Sequence, residues 1–168
     1  MKALWGVLAT AAAVALQTTA DQWLPAGTVD LVLVVVVYNA LASGRVAGLL
    51  TGTLGGLVQD VLSGSVIGMA GLSKTVVGYL AGIVGTQFIV THSASRFVVF
   101  VLATVVNAVV FMGMYELLGL RHFGAPYAAV AGQGVGNAVI GVLVFKVAEL
   151  LPGAVERRRN SNAGRIRR

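Results

Sequence analysis

The chain contains no cysteine, which excludes a disulfide framework, a thiolate metal site and a thiol nucleophile. Charge is scarce as well. Asp, Glu, Lys and Arg make up 11% of the 168 residues, against about 25% in a soluble domain. A water-facing shell cannot be built from so few charges. Proline is limited to 3 residues, and the 22 glycines follow no Gly-X-Y period, so neither a collagen-like nor a disordered chain fits. What the chain has is apolar bulk: 57% of it is hydrophobic and the mean hydropathy is +0.88. The composition is that of an all-α polytopic integral membrane protein.

The net charge of +6 is concentrated at one end, in Arg157, Arg158, Arg159, Arg165, Arg167 and Arg168. The high isoelectric point therefore describes a tail. Nucleic-acid binding needs a basic face spread over the fold to displace phosphate counterions, and no such face is present in the sequence. Two regions follow: a transmembrane domain over residues 1–156 and a basic cytoplasmic tail over residues 157–168.

A hydrocarbon core about 30 Å thick takes about 20 apolar residues per helix. By that ruler the sequence predicts six spans, over residues 3–20, 25–42, 46–62, 66–90, 97–118 and 127–151. The second contains the β-branched run Val34 to Val37, which in a soluble protein could be a strand. In lipid a lone strand leaves its backbone unpaired, so helix is expected. Only Ser43, Gly44 and Arg45 separate the second span from the third, and a five-helix arrangement with one re-entrant segment is the alternative.

Basic residues orient such a bundle. With Lys2 and the arginine tail both cytoplasmic the number of spans is even, and Arg45 and Arg96 then fall in inner connections. Arg121 is the one basic residue assigned outside. Lys2 before an apolar stretch, with Thr18, Thr19 and Ala20 after it, resembles a signal peptide. Cleavage would leave an odd number of spans, so the first segment is expected to stay as an anchor.

Charged groups inside a bilayer call for a partner or a wet recess. The six-span arrangement puts Asp30, Asp60 and Glu116 at the outer face, with Lys74 about two turns in from the same side. Two outcomes are open: Lys74 pairs with Asp60 across the short turn between them, or it snorkels alone. Glycines recur at spacings of four, with Gly48, Gly52 and Gly56 on one stripe and Gly78 and Gly82 on another. Small residues so spaced let helix backbones approach closely in lipid. The stripes either pack within the bundle or form a groove for a partner's helix.

Motifs for catalysis or cofactors are not supported. Gly132, Gly134 and Gly136 sit at the start of a span, whereas a dinucleotide turn follows a strand. Ser73, Lys74 and Thr75 lack the glycine-rich approach of a phosphate loop. His92 and His122 fall at opposite faces and lack zinc-ligand spacing. No serine and histidine are placed to meet at one depth, as a serine hydrolase requires. No cofactor and no metal are expected.

Residues 52–82 carry the most specific pattern in the chain. A glycine-rich helix ends in Gly56, Gln59 and Asp60, followed by Gly64, Gly68 and Lys74 and then the pair Gly78 and Tyr79. This stretch resembles the signature region of the bacterial rod shape-determining MreD family. Chain length, six spans and short loops fit the same family.

The resemblance implies a non-enzymatic inner-membrane scaffold of the cell-elongation machinery. Its partner would be MreC, a single-span protein, with MreB, RodA and a penicillin-binding transpeptidase in the same complex, to position sidewall peptidoglycan synthesis. It also implies a fold similar to the substrate-binding subunits of energy-coupling-factor vitamin transporters, six-helix bundles with both termini inside. Such a vitamin-binding subunit is the alternative function, with the outward recess near Asp30, Asp60, Lys74 and Glu116 as its ligand site. In the scaffold, helices three and four are expected to present their glycine stripes to MreC, with Gln59 and Asp60 at the outer end. The arginine tail is expected on the anionic lipids of the inner leaflet, with MreB as a further possible contact.

Overall fold

The computed structural model describes residues 2–20, 23, 27–87, 92–120, 122–124 and 126–165, and the side chains of these except residues 2–5, 7 and 151–165. Among these residues six helices follow one another: α1 (Lys2–Ala20), α2 (Leu31–Ser43), α3 (Arg45–Ser63), α4 (Met69–Gln87), α5 (Ser93–Leu117) and α6 (Tyr127–Arg165). No strand occurs among the described residues. The valine run of α2 is helical because an i→i−4 ladder satisfies every backbone group inside one segment, whatever the modest propensity of valine.

α2 lies at the centre and touches each of the other five helices. Val32, Leu33, Val34, Val36, Val37 and Ala40 are all essentially inaccessible, as expected of a helix that is apolar all round. Its 13 residues correspond to about 20 Å at about 1.5 Å per residue, well short of a bilayer core. The second span is thus shorter than expected: Asp30 caps the helix, and residues 27–29 before it run as irregular backbone. Backbone outside a helix needs other partners in a membrane, and Gln17 of α1 and Asn137 of α6 supply them at Val29, Asp30 and Leu31.

One residue, Gly44, joins α2 to α3. Its φ of 88° with ψ near 180° is a conformation essentially reserved for glycine. The two helices are therefore separate elements.

α3 and α4 pack more extensively than any other pair. They run antiparallel in register. A Cβ on Gly48 would overlap the Gly78 carbonyl, one on Gly52 the Lys74 carbonyl, and one on Gly56 the Ala70 carbonyl; one on Gly82 would strike the Arg45 backbone. Each step of four along α3 meets a step of four back along α4, so the stripes predicted from spacing face each other backbone to backbone. α5 and α6 pack differently, with Phe100 seated over Gly141 and its edge towards Phe145.

Outside this core the bundle is apolar. Val46, Leu50, Leu54 and Val58 form a ridge along α3, Leu102, Val105 and Val109 along α5, and Val135, Val139, Leu143 and Val147 along α6, all exposed. Among the described residues three segments are long and apolar enough to cross a membrane: Arg45–Ser63, Ser93–Leu117 and Tyr127–Leu150. α6 runs on without a break to Arg165, so no helix end separates residues 1–156 from the first arginines of the tail. Arg121, Arg167 and Arg168 lie outside the described residues.

Candidate functional site: a buried ion pair beneath a polar cavity

Lys74 Nζ lies 2.6 Å from Asp30 Oδ2, and both side chains are buried. Two charges away from water are stable only when paired and further hydrogen-bonded, and both halves are built in. Asp30 is the N-cap of α2, its Oδ1 accepting from the Leu33 N–H at 2.9 Å. Its own N–H donates to Asn137 Oδ1 at 2.8 Å, while Asn137 Nδ2 donates to Thr104 Oγ1 at 3.0 Å. From α1, Gln17 spans the same stretch: Nε2 donates to the Val29 carbonyl and Oε1 accepts from the Leu31 N–H. Three helices thus fix the entry to a fourth.

Asp60 is not the partner of Lys74, contrary to the first expectation for that pair. Its carboxylate faces the start of α4. Oδ1 accepts from Ser65 Oγ at 2.9 Å and the Ala70 N–H at 3.1 Å; Oδ2 accepts from the N–H groups of Gly68, Ala70 and Gly71 at 2.9, 3.1 and 3.2 Å. The first N–H groups of a helix have no internal partner and carry partial positive charge. A carboxylate only 1% exposed is well served there, and Lys74 is left to Asp30. Asp60 holds α3 to α4 at their connected ends.

The other residues singled out from sequence divide by role. Gly48, Gly52, Gly56, Gly78 and Gly82 form the α3/α4 seam. Of the two roles open to these stripes, packing within the bundle is the one they fill here, since each faces the other helix. Gly64 and Gly68 have positive φ, 63° and 101°, with Gly64 closing α3 in a left-handed C-cap. Gln59 lines a cavity, its Oε1 buried without a hydrogen-bond partner. Gly132, Gly134 and Gly136 lie within α6, so no phosphate-binding turn forms there. Glu116 is exposed and does not line the cavity.

That cavity, about 290 Å³, sits above the ion pair between the ends of α2, α3, α4, α5 and α6. Asp30, Asp60 and Lys74 line its floor; Gln59, Ser63, Asn107 and Gln133 line its sides, and Phe111, Met112 and Val130 its apolar wall. Asn107 Oδ1 is buried with no partner. Gln17, Asn107 and Asn137 escaped the sequence reading, although their signal was present: an amide inside an apolar run costs free energy unless hydrogen-bonded.

At the opposite end, Arg96 is buried at the start of α5. Its Nη2 donates to Glu149 Oε1 at 2.6 Å, and its guanidinium lies 4.3 Å from the centre of the Phe145 ring. It is therefore part of the α5/α6 contact instead of a free loop charge.

Apolar ridges turned outward from membrane-length helices, around an enclosed polar end, are the features of a helical membrane protein. The family model for the rod shape-determining protein MreD matches residues 5–152, and the chain belongs to that family. Its role accordingly lies in rod-shape determination, within a family of structural proteins. No curated protein and no solved structure matches the chain.

Proposed function

We propose that the protein is a multi-pass, non-enzymatic scaffold of the bacterial cytoplasmic membrane. All six helices belong to the membrane domain, both termini are cytoplasmic, and the polar cavity opens to the outside. The scaffold binds MreC and, in one complex with MreB, RodA and a penicillin-binding transpeptidase, organises sidewall peptidoglycan synthesis. The family match over residues 5–152 carries this proposal. Because the glycine stripes are spent within the bundle, the partner's transmembrane helix has the outward ridges to meet, such as Val46, Leu50, Leu54 and Val58 on α3. The arginines from Arg157 onward lie against anionic lipid, where each basic residue contributes about 1 kcal/mol.

Depleting the protein in growing cells tests the role: rods should widen and round up, and expression of the chain should restore them. Cells that keep their shape on depletion would sink the proposal. The vitamin-transporter subunit is the second reading, favoured by the cavity alone. It requires the purified protein to carry an ATPase pair.

A further inference from the structure

The charges around the cavity are already spoken for. Lys74, the one cation among the described lining residues, is held by Asp30. Asp60 accepts from four donors, Ser65 Oγ and the N–H groups of Gly68, Ala70 and Gly71, which fills the lone-pair sites of a carboxylate. Among the described lining residues an anion would find no free cation, and a cation no open carboxylate.

What remains open is amide chemistry. Asn107 is 8% exposed and its Oδ1 has no partner; Gln59 Oε1 is buried and equally unmatched. Buried groups of this kind are costly, and natural structures seldom leave them without a ligand or water. Half-buried Gln133 completes the polar side, opposite Phe111, Met112 and Val130. Few polar groups converging across from an apolar wall is how small-molecule sites are built, and about 290 Å³ is near the low end of their size range of about 300–1,000 Å³.

We propose that this cavity binds a small uncharged molecule carrying an amide or a pair of hydroxyls on a ring-shaped apolar body. Asn107 and Gln59 meet the polar edge, and Phe111 and Met112 pack against the ring. The inference stands on the cavity alone, so failure to recover MreC would leave it untouched.

The absence of cysteine makes the test direct. Ala129 and Ser63 line the cavity from different helices and are exposed at its rim. Ala129→Cys and Ser63→Cys are introduced separately in the full chain in nanodiscs, and the rate of alkylation by a small maleimide is followed. The probes are nicotinamide and benzamide, both uncharged, and nicotinate, the anionic counterpart of nicotinamide. At a concentration of about twice Kd, a bound probe slows labelling about threefold by mass action. The proposal predicts protection by at least one uncharged probe at both cysteines and none by nicotinate. It also predicts that Asn107→Leu abolishes the protection while leaving the melting temperature unchanged or raised, since an unmatched polar group has been removed. Absence of protection by either uncharged probe would mean that the cavity holds water only and would overturn the proposal. Equal protection by nicotinate, or protection that survives Asn107→Leu, overturns it as well.

Discussion

Lys74, in the middle of the glycine seam of α4, reaches Asp30 at the capped start of α2 with a separation of 2.6 Å. The contact ties the closely packed α3 and α4 to the central helix, and the N–H, the carbonyl and both carboxylate oxygens of Asp30 find partners on α2, α4 or α6.

Breaking this pair from one side leaves a buried charge alone. Lys74→Met should destabilise the bundle by about 3–5 kcal/mol in denaturant unfolding of the detergent-solubilised protein. The double variant Lys74→Met with Asp30→Asn should recover much of that loss, because no unpaired charge remains. A double-mutant cycle should give a coupling of about 0.5–3 kcal/mol for Asp30 with Lys74, and a smaller one for Asp60 with Lys74. Equal couplings would contradict the assigned pairing.

The seam should punish side chains according to position. Gly52→Leu and Gly56→Leu each force a side chain into the backbone of α4, and overpacking of this kind costs about 1–3 kcal/mol or more. Lower accumulation in the membrane and a lower melting temperature are expected, irrespective of any partner. Gly113 and Gly132 have open space around them. Alanine at those helical positions should be neutral or stabilising, by up to about 1 kcal/mol.

Loss of the Asp60 carboxylate frees the start of α4. Asp60→Ala should cost about 1.5–3 kcal/mol, the range for hydrogen bonds to a charged group. Hydrogen exchange should locate the effect, with the amides of Gly68, Ala70 and Gly71 exchanging faster while α5 and α6 keep their protection. Unchanged exchange at those three amides would rule out the capping role.

Much of this architecture was legible because it is written locally. Glycines spaced by four on two consecutive helices imply a seam, and the Gly56 to Asp60 run with Gly64 and Gly68 marks a turn that only those residues form well. The pairing of Lys74 was not legible. Asp60 is its nearest acid along the chain, yet the α4 N-terminus claims that carboxylate, and Asp30 comes close only through packing of α2 against α4. The shortness of α2 was hidden for a similar reason. Hydropathy extends the second span towards Pro25, whereas the amides of Gln17 and Asn137, distant in sequence, hold the residues before Leu31 out of the helix.

The most direct test of the scaffold account is to purify the affinity-tagged full chain from membranes after mild solubilisation and identify what stays bound. The account predicts near-stoichiometric recovery of MreC, retained in the Asn107→Leu variant and lost when the outward α3 ridge carries bulky polar residues at Leu50 and Leu54. Recovery of an ATPase pair without MreC would contradict it.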